Sequence, residues 1–221
     1  MQVEIVPAIL VKSNEELLQR IKVVKPYVKT IQIDVMDGKF VPNKTITGFS
    51  DLPKGVQYEF HWMVENPQFY IKNVIGNHLH IVHIETVTDW KEIQKTVEKS
   101  GGKLAVAINP ETRLEKIIPY INKVSMVLIM TVNPGFSNQK YLSEMESKIK
   151  KLRSLYPKID IEVDGGINQH TIAGAAKSGA NKFGAASAIY GSDNIKEAIT
   201  HLMDVAKSSY KGGHNERGQS I

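Results

Sequence analysis

Eight short apolar or β-branched runs recur along the chain, and this repetition constrains the fold more than any other feature. The runs begin at residues 3, 30, 57, 78, 103, 125, 158 and 181. Their starts are separated by roughly 20 to 35 residues, which is about the length of one strand–helix unit. Helical patterns lie between some of them, at 13–24, 88–100 and 139–156. Eight such units predict a (β/α)8 TIM barrel, with a doubly wound open sheet as the alternative.

Length and composition fit a single domain. The chain has 221 residues, of which 42% are hydrophobic and 23% charged, and this predicts one barrel domain over residues 1–210. The polar, glycine-bearing stretch 211–221 is predicted to be a flexible tail. The first fifteen residues lack a signal-peptide pattern and no apolar run is long enough to span a membrane, so we expect a cytoplasmic protein without a membrane partner. The absence of cysteine excludes thiolate metal sites and cysteine nucleophiles.

The net charge favours a small anionic substrate over nucleic acid. The formal charge is +5 and the sequence pI is about 9.2, but the basic residues are spread along the chain. The basic cluster at 148–153 lies in a helical pattern and is interpreted as a solvated face. No nucleic-acid recognition motif accompanies it, so no nucleic-acid partner is predicted. A mild positive field suits an anionic small molecule.

Polar residues interrupt the apolar runs at or near their carboxyl ends. Burying an unpaired carboxylate inside a strand costs several kcal/mol. Asp34 in IQIDVMDG must therefore have a bonding partner or belong to a functional site. A barrel gathers the carboxyl ends of its strands at one mouth, where its active site lies. The residues in such positions are Asp34, His61, Glu85, Asn109 and Asp164.

Asp34 and Asp164, on the second and seventh runs, could face one another across this mouth. Two carboxylates on opposite sides of one carbon can remove a proton from one face and return one to the other, which is epimerisation. The negative charge that develops must be stabilised by a metal, a cation or fixed donors, and His61 could supply a metal-ligating nitrogen. For each residue alone, the alternative is a strand end whose hydrogen bonds are satisfied.

Glycine-bearing loops follow the last three runs. They are VNPGFSNQ at 132–139, DGGIN at 164–168 and AASAIYG at 185–191. Backbone N–H groups in such loops can cradle a phosphate, which barrels commonly bind after strands seven and eight. A phosphorylated substrate is therefore expected.

Six segments resemble the signature segments of the ribulose-phosphate 3-epimerase family, in that family's order and spacing. They are PAIL at 7–10, DVMDGKFVPN at 34–43, HWMV at 61–64, MTVNPGF at 130–136, VDGGIN at 163–168 and GAN at 179–181. The resemblance covers roughly residues 3 to 205. It implies a barrel enzyme that interconverts D-ribulose 5-phosphate and D-xylulose 5-phosphate with a divalent metal, often zinc, iron, manganese or cobalt, holding the enediolate.

The resemblance also implies roles for individual residues. Asp34 and Asp164 match the acid/base pair and two metal ligands, and His61 matches a metal-binding histidine. Gln32 stands where the family has another metal-binding histidine. The residues expected to contact the sugar or its phosphate are Met36, Met63, Met130, Gly135, Phe136, Ser137, Asn138, Gly165, Gly166, Ala186 and Ser187.

Four departures from the family pattern fall in the same site. Gln32 replaces a histidine, and since an amide oxygen is a harder and weaker ligand than imidazole, zinc should bind less tightly and magnesium or manganese becomes relatively less disfavoured. Ala8 replaces an active-site serine. Ser137 and Asn138 replace a glycine pair, and Ala186 replaces a glycine in the last phosphate loop, which requires a backbone conformation that tolerates a Cβ atom.

Two classes of function stay open on this reasoning. One is an epimerase acting on a phosphorylated ketose, of either five or six carbons. The other is a noncatalytic or repurposed barrel that binds a phosphosugar. The family resemblance also implies a homo-oligomer, either a dimer or a hexamer. The H-x-H pair His78 and His80 is interpreted as strand packing rather than a metal site.

Overall fold

Eight parallel strands close into a barrel, as the sequence predicts for a single-domain TIM barrel. The computed structural model describes residues 2–49, 51–136 and 139–215, except the side chains of 211–215. Each strand pairs with its neighbours in chain order, and β8 pairs with β1. The strands are β1 Glu4–Ile9, β2 Thr30–Met36, β3 Gln57–Met63, β4 Leu79–His83, β5 Lys103–Ile108, β6 Met126–Met130, β7 Asp160–Asp164 and β8 Lys182–Ala185.

Helices surround the barrel but do not follow every strand. No helix forms among the described residues between β2 and β3, and the β5–β6 connection has only 3₁₀ turns at Leu114–Lys116 and Ile118–Lys123. Each of the three predicted helical patterns contains a helix. The helices are α1 Asn14–Val24, α2 Pro67–Ile71, α3 Trp90–Ser100, α4 Met145–Leu155, α5 Ile172–Ser178, α6 Ser187–Tyr190 and α7 Ile195–Asn215.

Burial on both faces of the strands explains their near-continuous apolar sequence. Every residue of β2 is buried, because one face points into the barrel and the other packs under the helices. At α1, the Ser13 side chain accepts a hydrogen bond from the backbone N–H of Glu16 and caps the helix. In the described part of the chain, no helix combines the length and apolarity that a membrane crossing requires.

Helix α7 extends to residue 215 and so includes the first five residues of the segment predicted to be a tail. Residues 216–221 lie outside the described residues. The flexible tail therefore stays a prediction.

The interpretation of residues 148–153 as a solvated face is wrong for two of its members. Arg153 is buried, and its guanidinium donates to the carbonyl oxygens of Gly179 and Pro157 and to the side chain of Asn181. Lys148 Nζ donates to carbonyls of the loop that follows β5. Both side chains therefore donate hydrogen bonds to backbone carbonyls at the ends of helices and strands. The charge pattern of the sequence does not reveal these contacts.

Candidate active site

Three ionisable side chains meet at the mouth of the barrel. Asp34 on β2 is the register partner of His61 on β3, and Asp164 ends β7. One ligand atom from each lies within 4.8 Å of the other two. His61 Nδ1 is 3.2 Å from Asp34 Oδ1 and 3.4 Å from Asp164 Oδ2. The structure thus brings together the two aspartates and the histidine that the strand-end pattern singled out.

Gln32 joins this group from the layer immediately below. Its side-chain nitrogen Nε2 donates to Asp34 Oδ1 and to Asp164 Oδ2, at 2.8 Å in each case, and lies 3.5 Å from His61 Nδ1. Gln32 is fully buried, and its amide oxygen Oε1 has no hydrogen-bond partner among the described residues. A buried acceptor left unpaired costs about 1–3 kcal/mol. Rotating the amide by half a turn would direct this oxygen between the carboxylates.

Burial and mutual proximity shift the proton affinities of these groups. Burial raises the pKa of Asp34, the charge of Asp164 raises it further, and the hydrogen bond with His61 opposes both. Burial by itself lowers the pKa of His61, but its hydrogen bonds to Asp164 and Asp34 and their negative charges outweigh burial and raise that pKa to about 9. Two neighbouring carboxyls of this kind can hold one proton between them.

The donor set fits a divalent metal. Two carboxylates and one imidazole nitrogen are ligands that zinc, manganese, iron and cobalt accept. If the Gln32 amide were turned over, its unpaired oxygen would offer these ligands a further acceptor of the kind that a hard cation binds. Asp34, His61 and Asp164 could therefore hold a metal ion, with Gln32 beside it.

Two threonines that the sequence analysis missed fix the backbone at the aspartates. Thr45 Oγ1 donates to the carbonyl oxygen of Asp34 at 2.8 Å. Thr131 Oγ1 lies 3.0 Å from the carbonyl oxygen of Asp164 and 2.6 Å from that of Gly165. Both threonines lie outside the strands that carry the aspartates, so no local pattern identified them. Their bonds limit the movement of the two strand ends.

A cavity of about 290 Å³ opens above the aspartates. Asp34 and Asp164 lie in its wall, and Ala8 contributes a methyl group where the family pattern has a serine. Ser137 and Asn138 lie outside the described residues. Among the residues expected to contact the substrate, the cavity is lined by Met36, Met63, Met130, Gly135, Phe136, Gly165, Gly166, Ala186 and Ser187.

The loop after β7 requires its glycine pair, whereas the loop after β8 accepts an alanine. Gly165 and Gly166 have φ values of 114° and 66°, and a Cβ at Gly166 would lie 2.8 Å from the backbone nitrogen of Tyr141. Ala186 has φ −111°, on the negative side of φ that L-residues adopt. The glycine-to-alanine departure at 186 therefore requires no left-handed backbone conformation.

Buried His83 and partly exposed Glu85 form a chain of contacts behind His61. His61 Nε2 is 2.9 Å from His83 Nε2, and His83 Nδ1 is 3.3 Å from Glu85 Oε2. Burial lowers the pKa of His83. Burial would raise the pKa of Glu85, but the hydrogen bond with His83 and bonds from Asn109 and Thr112 lower it to about 2.

The alternation of side chains along β4 was the one sequence signal that could have identified His83 as a site residue. His83 lies on the opposite face of β4 from His80, at the strand end. His80 is tied into packing, since Trp62 Nε1 donates to its Nδ1 and Ser100 Oγ lies 3.2 Å from its Nε2. The H-x-H pair is therefore no part of the site, whereas His83 reaches His61.

Comparisons with known proteins agree on one family. The model of the ribulose-phosphate 3 epimerase family matches residues 4–190. A cytoplasmic isoform of ribulose-phosphate 3-epimerase from Oryza sativa subsp. japonica is 38% identical over 196 residues, 84% of each chain. The ribulose-phosphate 3-epimerase of Methanocaldococcus jannaschii is 39% identical over 186 residues, 79% of this chain and 78% of its own.

A solved structure supports the fold independently of sequence. The crystal structure of KGPDC from Streptococcus mutans superposes with a TM-score of 0.72 at 14% identity, covering 95% of this chain and 100% of that one. At such low identity, the likeness shows the barrel fold alone. The family follows from the match over residues 4–190 and from relatives above 30% identity: the chain belongs to the ribulose-phosphate 3-epimerase family.

Proposed function

We propose that this protein interconverts D-ribulose 5-phosphate and D-xylulose 5-phosphate by inverting carbon 3. The observation that carries the proposal is the pair Asp34 and Asp164, whose carboxylate oxygens lie within 4.8 Å of one another and line the same cavity. The relatives are named ribulose-phosphate 3-epimerases, which supports inversion of a ribulose phosphate at carbon 3.

The reaction exchanges protons between the sugar and the two carboxyls. One aspartate, ionised, removes the proton from carbon 3, and the electron pair moves toward the carbonyl oxygen at carbon 2 to give an enediolate. The other aspartate, protonated, delivers its proton to the opposite face of carbon 3. The raised pKa of Asp34 supports this division, because it favours a state in which one carboxyl keeps a proton.

A divalent metal, when bound, would stabilise the negative charge of the enediolate. Asp34, His61 and Asp164 are the residues that would hold it, with Gln32 contributing its amide oxygen or bonding to a metal-bound water. Zinc, manganese, iron, cobalt and magnesium are the candidates, and the amide shifts the preference away from zinc relative to an imidazole. The thioethers of Met36, Met63 and Met130 give the cavity an apolar lining that limits water around the enediolate.

The loops after β6, β7 and β8 would hold the phosphate. Gly165 and Gly166 line the cavity in left-handed backbone conformations whose close packing leaves no room for a Cβ atom, and Gly135 and Ser187 line the same cavity. Backbone N–H groups in such loops bind phosphate oxygens. We also propose a cytoplasmic homo-oligomer, either a dimer or a hexamer, which light scattering after gel filtration would measure.

Metal reconstitution tests the proposal. Protein treated with a chelator should lose epimerase activity, and Mn²⁺, Zn²⁺ or Co²⁺ should restore it. Calorimetry on the same samples measures ribulose 5-phosphate binding. Comparing binding with turnover distinguishes an enzyme from a protein that only binds the sugar. Binding without turnover under every metal would favour a noncatalytic phosphosugar-binding barrel. This second candidate is supported by the Gln32 amide, which donates to both aspartates and so occupies oxygens that would accept the proton.

Gln32→His should tighten zinc binding about tenfold or more, because imidazole is a better zinc ligand than an amide oxygen. Competition with a coloured chelator measures the dissociation constant. Gln57→His, at the exposed start of β3, is the matched control and should leave zinc affinity unchanged. Equal zinc affinity in Gln32→His and the unmodified protein would remove Gln32 from the neighbourhood of the metal.

A further inference from the structure

The geometry of the chain His61–His83–Glu85 fixes which group donates and which accepts in each of its hydrogen bonds. Glu85 Oε1 accepts a hydrogen bond from the backbone N–H of Asn109 at 2.9 Å, and Glu85 Oε2 faces His83 Nδ1 at 3.3 Å. A carboxylate only accepts hydrogen bonds. His83 must therefore carry its hydrogen on Nδ1 to donate to Glu85.

This assignment propagates to His61. A neutral His83 with hydrogen on Nδ1 has a bare Nε2, which can only accept. His61 Nε2, 2.9 Å away, must then carry a hydrogen and donate it. The other nitrogen of His61, Nδ1, is the one that faces Asp34 and Asp164. A metal ion bound there would displace the hydrogen that Nδ1 shares with these carboxylates, and the metal would then take the Nδ1 lone pair.

The two histidines of the chain are closed to water, whereas the Glu85 side chain is 16% exposed. His61 and His83 have no exposed surface. The two rings lie nearly parallel with centroids 5.0 Å apart, and the ring of Phe40 covers His83 with a centroid separation of 4.9 Å. In a dry site, each donor needs an acceptor from the protein itself.

We propose that His83 and Glu85 are positioning residues that fix the tautomer of His61 and so present its Nδ1 to the metal. The proposal rests on the proposed function in one respect, that His61 is a metal ligand. Neither His83 nor Glu85 touches the substrate in this role. They act by setting which nitrogen of His61 is free, as outer partners of metal-bound histidines do in general.

Glu85→Gln provides a sharp test because it reverses the direction of the chain. The Asn109 N–H keeps an amide oxygen at its position, so the amide NH₂ turns toward His83 and donates to Nδ1. His83 then carries its hydrogen on Nε2 and faces the hydrogen on His61 Nε2. To avoid two opposed donors, His61 must move its hydrogen to Nδ1, the atom that should bind the metal.

The expected result is a loss of metal affinity of about 10–100-fold in Glu85→Gln, measured with Co²⁺ and a competing chelator. Glu111→Gln, the same change at an exposed residue of the neighbouring loop, should leave the affinity unchanged. His83→Gln retains an oxygen that can accept from His61 Nε2 and should keep more affinity than His83→Leu. Unchanged affinity in a folded Glu85→Gln protein, judged by thermal unfolding, would overturn the positioning role.

A second test uses spectroscopy on the unmodified protein, so it does not depend on whether a variant folds. Protein with ¹⁵N-labelled histidine and bound ¹¹³Cd²⁺ should show ¹¹³Cd–¹⁵N coupling to Nδ1 of His61 and to neither nitrogen of His83. Coupling through Nε2 of His61 would overturn the inference and leave the proposed metal site intact. Absence of coupling to either His61 nitrogen would remove His61 from the metal site and contradict the proposed function itself.

Discussion

Asp164→Asn is expected to lower kcat for epimerisation by roughly 10³-fold, within the range of general acid–base contributions. The amide has the shape of the carboxyl group but neither takes nor delivers a proton at carbon 3. Since Asp164 also belongs to the proposed metal shell, metal content should be measured on the same sample. The assay is conversion of ribulose 5-phosphate at saturating substrate and metal.

The same strand provides the control for this substitution. Asp160 begins β7, at the opposite end from Asp164, and accepts a hydrogen bond from Asn181. Asp160→Asn should retain epimerase activity close to that of the unmodified protein. Asp34→Asn should behave like Asp164→Asn. Undiminished turnover in metal-loaded Asp164→Asn protein would reject its role in proton transfer.

Lys182→Met is expected to reduce the free energy of unfolding by about 3–5 kcal/mol, because it removes the cation of a buried ion cluster. Lys182 Nζ pairs with Glu59 and lies 3.7 Å from Glu162 Oε2. Both glutamates are buried within the barrel. Without the ammonium group, they face each other with no compensating charge. Urea unfolding followed by circular dichroism measures the change.

Lys158→Met is the matched control for this stability effect. Lys158 is exposed, and its replacement should change the unfolding free energy by less than about 0.5 kcal/mol. Equal unfolding free energies for the two variants would show that the Lys182 cluster contributes no net stability. Glu162→Gln in the Lys182→Met background should change the stability little further, because burial and the charge of Glu59 raise the pKa of Glu162 and favour its neutral form.

The sequence predicted the barrel and the central residues of the site because both depend on local patterns. Strands buried on two faces leave near-continuous apolar runs, and polar residues at their ends, such as Asp34 and Asp164, stand out against that background. The structure confirms the single-domain barrel. The roles of these residues in catalysis and metal binding stay predictions.

The remaining features depend on contacts that no local pattern records. The charge pattern at 148–153 indicated a solvated face, whereas Arg153 is buried against carbonyls from distant elements. His83 was not singled out as a site residue, because its partner, His61, belongs to another strand. The position of the Gln32 amide follows from the distance between β2 and β7, which only the closed barrel sets.

Deuterium transfer during the first turnovers tests the central claim most directly, namely that two carboxyls act on opposite faces of carbon 3. The metal-loaded protein would convert ribulose 5-phosphate in D₂O, and NMR would follow hydrogen at carbon 3 of product and remaining substrate. The first xylulose 5-phosphate formed should carry deuterium at carbon 3 while the remaining substrate still carries protium. Product that retains the substrate's own hydrogen at carbon 3 would contradict a two-carboxyl exchange.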